Sequence, residues 1–261
     1  MPVMARAKLT SRGKALPLAT SQAEVSGGSA REESVMILAN TRCRLRPADL
    51  QLVLLLLSRG SAGRRASLER RLEQEGPDPL LDSPVLAERL LAVRSILVPG
   101  EALFFYVLVR QALRQADVDD RDLADYLAAM LIEFGQRDRA TRIDWHDDHS
   151  HRYLIDILAD LEATQGERRF KVMVHLGNYA LWLAGLFPHY IEARRLRHGG
   201  PDLSYYDGLG RRGFALASDH SLADQYHLDG ILQSAAERYP AIRTALNGLS
   251  ERVLFPHGYP H

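Results

Sequence analysis

Phe170-Lys171-Val172-Met173-Val174-His175-Leu176-Gly177-Asn178-Tyr179-Ala180-Leu181-Trp182-Leu183-Ala184-Gly185-Leu186-Phe187 decides how the rest of this chain is read. The run approaches the length of a membrane span, which needs about 20 apolar residues. His175 and Asn178 lie inside it, however, and both are costly in hydrocarbon, whereas a protein core can hydrogen-bond them. The expectation is therefore a central helix over 170–187 wrapped by other helices, with no membrane insertion. A second apolar run, Leu50 to Leu57, is too short to cross a bilayer.

Outward from that helix, helical periodicity recurs. Pro47 suits a first helical turn, with Leu50, Val53, Leu54 and Leu57 following at spacings of three and four. Ser83-Pro84 restarts a helix after the Gly76-Pro77-Asp78-Pro79 break, and Pro99-Gly100 marks the next boundary. Leu103 to Val109 has strand propensity, but its continuation into Arg110-Gln111-Ala112-Leu113 argues for helix. Asp119 and Asp120 can cap a helix that ends at Gly135. Further helices are expected over about 148–163, 223–238 and 241–253. Pro188 should kink or restart the chain, and Ser204 with Asp207 resembles a capping box. The fold class is all-α: one multi-helix bundle over 33–261 behind a disordered tail at 1–32.

Thirty-three basic residues balance thirty-three acidic ones. No global field draws in a polyanion, which argues against nucleic acid as the partner and leaves a protein or small molecule. A local basic patch is still compatible with that balance. Cys43 is the only cysteine, so no intramolecular disulfide can form. With no apolar export signal near the start, the expected location is cytoplasmic.

All ten histidines lie at or after position 146. Any histidine-dependent site must draw on the C-terminal half. Four residues of the central helix, His175, Asn178, Tyr179 and Trp182, form a polar-aromatic stripe at helical spacing. The stripe is a candidate lining for an internal pocket, or simply a buried hydrogen-bonded seam.

The densest histidine cluster is Asp144 to His151. Asp148 and His151 have the carboxylate-x-x-His spacing that puts both side chains on one helical face, and Asp224 and His227 repeat it. Paired motifs of this kind resemble the carboxylate-bridged di-iron bundles. That resemblance implies an oxidase or oxygenase holding iron or manganese, with Glu133 and Glu192 as further carboxylates. The pair His146-Asp147 resembles the HD phosphohydrolases, whose upstream histidine is missing here. The Arg142-x6-His149 spacing resembles the HEPN ribonucleases and implies RNA cleavage. Gly208-Leu209-Gly210-Arg211-Arg212-Gly213 matches a dinucleotide loop in letters only. No strand precedes it, so close helix packing is the expected use of these glycines. A binding or regulatory protein is the leading functional expectation.

Overall fold

A computed structural model describes residues 36–93, 99–136, 138–144 and 147–255. The tail expected at 1–32 lies outside these, as do Trp145 and His146. Among the described residues there are thirteen α-helices and no strand. The first six are α1 (Pro47–Ser58), α2 (Ala62–Glu75), α3 (Asp78–Leu81), α4 (Pro84–Val93), α5 (Glu101–Gln115) and α6 (Arg121–Phe134). After a long connection come α7 (Leu154–Ala163), α8 (Gly166–Leu186), α9 (Pro188–His198) and α10 (Leu203–Ser218). The chain closes with α11 (Ser221–Gln225), α12 (Asp229–Glu237) and α13 (Tyr239–Leu249).

Local chemistry sets these ends. Pro47 occupies the first turn of α1, where its missing N–H costs nothing. Asp120 caps α6, accepting from Leu123 N at 2.9 Å. Pro188 stops α8 and opens α9, and Gly199 ends α9 with φ 62°.

Helix α8 is the centre. Every residue from Val172 to Leu186 is buried. Helices α7, α10 and α13 pack around it, while α5 bridges α6 and α13. Burying each large apolar side chain contributes about 1.5–3 kcal/mol, so a helix covered on all sides is held mainly by its neighbours. No helix is long and apolar enough to cross a membrane among the described residues.

Glycine fixes the closest approach. A Cβ at Gly213 on α10 would sit 2.7 Å from Gly177 N and 2.9 Å from Met173 O, both backbone atoms of α8. Two glycines of the dinucleotide-like loop thus serve helix packing: Gly210 and Gly213 are buried, while Gly208, Arg211 and Arg212 are exposed.

Three expectations need correction. The helix expected from Asp148 begins only at Leu154, where Asp156 accepts from Tyr153 N at 3.2 Å and sets the helix start. The helix expected over 223–238 is split, because His227 adopts φ 54°. The amide of Leu228 then reaches back to Ala223 O at 2.8 Å, closing a left-handed C-terminal turn. Finally, Asp202 rather than Ser204 caps α10, accepting from Tyr205 N at 3.1 Å. Asp207 instead pairs with Arg243 at 3.1 Å.

An ionic clamp joins the N-terminal helices. Arg110 on α5 is almost wholly buried and donates to Asp82 at 2.7 Å and to Asp119. Arg121 donates to the same Asp82 at 2.7 Å, and Arg114 to its carbonyl at 2.7 Å. Burial opposes the charge on Asp82, but hydrogen bonds from Arg110 and Arg121 outweigh it and hold its pKa below the ordinary value.

Candidate functional site

The stripe on α8 comes together as read from the sequence. His175 and Tyr179 stack with ring centroids 5.8 Å apart, and Tyr179 and Trp182 at 6.0 Å. Phe134 of α6 closes the ladder against His175 at 5.7 Å and against Trp182 at 6.0 Å. Offset and edge contacts of this kind are the favoured aromatic geometries. Asn178 accepts from the buried Tyr126 hydroxyl at 2.9 Å, and Tyr179 donates to Arg152 O at 2.9 Å.

Beside this ladder lies a cavity of about 10 Å³, lined by His175, Asn178, Arg139, Lys171 and the apolar Met36, Ile37, Ile143 and Val174. That is room for roughly one water molecule. Neither Arg139 nor the segment at Met36 and Ile37 was readable as part of the seam. Arg139 stands in a polar stretch that resembles a surface loop, and only folding buries it over the Phe134 ring at 5.9 Å.

The imidazole of His175 is buried, and its Nε2 meets no hydrogen-bond partner among the described residues. Burial holds its pKa well below 6.5, and the nearby Arg139 guanidinium adds to the shift. A depressed folded-state pKa gives a definite sign. The stabilising difference is fully present above the unfolded value of about 6.5 and is lost as pH falls from there towards the folded value. The expected slope is about 1.4 kcal/mol per pH unit at most. His175→Phe keeps a ring in the ladder and should remove that slope. Urea unfolding of both proteins between pH 7 and 5 checks this; parallel stability curves would show that His175 does not carry it.

A larger opening lies beside the connection between the short 3-10 turn Arg139–Thr141 and α7. It measures about 390 Å³ and is lined by Asp147, Asp148, His149, His151, Ala159, Asp160, Ala163 and Arg168. Its walls are fixed from below. Arg168 on α8 donates to Asp147 at 2.8 Å and to Asp160 at 2.8 Å. His151 Nε2 lies 3.4 Å from Asp160, and its backbone amide donates to Thr141 O at 2.6 Å. Arg142 donates to Asp147 O at 2.8 Å, and Lys171 pairs with Asp144 at 3.4 Å. His149 and His151 of the dense histidine cluster therefore line a cleft. Their neighbours Asp160 and Arg168, one turn in from the facing ends of α7 and α8, gave no signal of their own.

The di-metal expectation does not assemble. Asp148 is exposed in the connection, and His151 lies outside α7, so the two share no helical face. Asp224 is exposed on the five-residue α11, and His227 sits beyond its end in the left-handed turn. Glu133 pairs with Arg44 at 3.5 Å and Glu192 with Arg195 at 2.7 Å. Among the described residues no group of three or more His, Cys, Asp or Glu side chains could hold a metal ion. The HEPN-like spacing also departs from its pattern. Arg142 and His149 lie in irregular chain rather than at a helix start, and Arg142 is engaged by the carbonyl of Asp147. Compared with known proteins, the chain matches no family model, no curated protein and no solved structure.

Proposed function

We propose that this protein is a small-molecule binding protein that takes a compact, amine-bearing cation in the cleft between the 147–151 segment and helices α7 and α8. The observation that carries this reading is the cleft itself, about 390 Å³ with three carboxylates and one guanidinium on its walls. Volumes of about 300–1,000 Å³ are typical of small-ligand sites. Arg168 offsets one of the charges on Asp147, Asp148 and Asp160, and the balance is negative when the imidazoles are neutral. The wall is also pre-ordered by its ion pairs, which lowers the entropic cost of binding. The seam at His175 supports the site structurally, since its own cavity accommodates only about one water molecule.

Asp148 is the informative side chain, being exposed and free of any ion pair among the described residues. Putrescine at millimolar concentration should raise the Tm of the wild-type protein. Asp148→Asn should leave the unliganded Tm unchanged and weaken putrescine binding about fivefold, the scale of one partly exposed charge contact. The reading fails if diamines produce no shift, or if Asp148→Asn binds putrescine as well as wild type does.

A further inference from the structure

Just beyond the cleft-lining His151, the surface gathers aromatic rings and guanidinium groups. Tyr153 precedes α7 and is about half exposed, and Arg194 of α9 lies over its ring, 4.6 Å from the centroid. Arg194 also lies close enough to Tyr206 and Tyr179 to act electrostatically on both, and Tyr190 is near the same two hydroxyls. Tyr205, at the start of α10, is partly exposed and meets Tyr206 edge-on with centroids 6.0 Å apart. Helical spacing adds Arg197 to the face of α9 that carries Tyr190 and Arg194. Arg152, one residue before Tyr153, is exposed as well.

Positive charge is in excess here. Among the described residues no carboxylate pairs with Arg152, Arg194 or Arg197. Asp156, Asp202 and Glu192 keep their charges while accepting from Tyr153 N, from Tyr205 N and Ser204, and from Arg195, so the guanidinium groups of Arg152, Arg194, Arg195 and Arg197 stand against three carboxylates. The guanidinium groups of Arg152, Arg194 and Arg197, none in a carboxylate pair among the described residues, beside the partly exposed rings of Tyr153 and Tyr205, suit a polyanion that also presents flat rings.

We propose that this surface binds single-stranded nucleic acid, with Arg152, Arg194 and Arg197 on backbone phosphates and bases stacked on Tyr153 and Tyr205. Such sites combine a positive track with aromatic platforms and read little sequence. An acidic polypeptide brings the charge but few stacking faces. The zero net charge of the whole chain does not oppose the assignment, because screening confines the relevant field to about 10 Å.

The test uses the full chain and a fluorescein-labelled twelve-nucleotide oligouridine, read by anisotropy at 50–200 mM salt. Expected is micromolar binding whose logarithm falls with log salt at a slope of about −2, as three phosphate contacts on a single strand imply. Tyr205→Ala and Tyr153→Ala should each weaken it at least fivefold, whereas Tyr205→Phe, which keeps the ring, should bind within twofold of wild type. Arg194→Ala should weaken binding and reduce the slope by about 0.7, one phosphate's share. Asp148→Asn removes a negative charge four residues before Arg152 and should not weaken RNA binding, whereas it should weaken putrescine binding, so this proposal and the cation-binding reading fail independently. Absence of binding at 50 mM salt overturns the proposal. So does competition by polyglutamate as effective per charge as by RNA, which would point to an acidic protein partner. Indifference to both tyrosine-to-alanine changes overturns it too.

Discussion

Adding one methyl group at Gly213 is expected to destabilise the protein by about 3 kcal/mol, at the upper end of what overpacking costs in a tight interior. The new Cβ would lie 2.7 Å from Gly177 N, 2.9 Å from Met173 O and 3.1 Å from Gly177 Cα. All three are backbone atoms of the central helix, so no side-chain rotation relieves the contact. Helices α8 and α10 must separate, and every residue packed at their crossing loses contact with them. In a chain of this size the Tm of Gly213→Ala should fall by about 6–12 °C, measured by thermal melting. Two controls give the effect its mechanism. Gly177→Ala meets first the ring of Phe214, at 2.5 Å, a side chain rather than helix backbone, so its cost should be smaller than at Gly213. Gly208→Ala, on the same helix as Gly213, meets nothing within 4 Å. There the helical preference for alanine should stabilise the protein by about 0.5–1 kcal/mol. Equal effects at Gly208 and Gly213 would mean that the crossing is not as close as described.

Removal of Asp82 should be comparably damaging for a different reason. Arg110 is almost wholly buried, and its charge is matched inside by Asp82 and only at the surface by Asp119. Asp82→Ala leaves a buried guanidinium poorly compensated, at a cost of about 3 kcal/mol. It also removes the acceptor shared by Arg121, loosening the tie between α3, α5 and α6. A double change, Asp82→Leu with Arg110→Met, should recover much of the loss, because breaking a buried pair is worse than replacing it with apolar side chains. Chemical unfolding of the single and double variants checks this; equal losses would show that packing, and not charge, is at stake. The pH dependence has a definite sign. The folded pKa of Asp82 lies below its ordinary 3.8, so its contribution is intact above that value. It disappears as pH falls through the folded pKa, and wild type and Asp82→Ala should then converge in stability.

Most of the fold could be read from the chain because helix signals are local. Pro47, Asp120, Gly135 and Pro188 mark element ends within one turn of sequence, and the run from Phe170 to Phe187 announces a buried helix by composition alone. The boundaries that escaped were set by conformations that neighbouring letters do not encode. A histidine at position 227 is compatible with continued helix, and only the left-handed turn observed there cuts α11 from α12. Asp148 and His151 satisfy a helical spacing rule, but the rule applies only inside a helix, and α7 starts at Leu154.

The same division runs through the site. Periodicity on one helix was enough to place His175, Asn178, Tyr179 and Trp182 on a common stripe, since residues three and four apart on a helix are neighbours whatever surrounds them. The partners came from elsewhere in the chain: Tyr126 is 52 residues from Asn178, and Arg168 is 21 from Asp147. Sequence alone therefore determined the helices, the central one among them, and the half of the chain that holds the histidines. Tertiary structure decided that the stripe is a packed ladder and that His149 and His151 open onto a cleft. It also brought together the tyrosines and arginines at the ends of α7, α9 and α10. Helical order is fixed by contacts within about four residues, whereas a cleft or a charged surface exists only where distant segments are brought side by side.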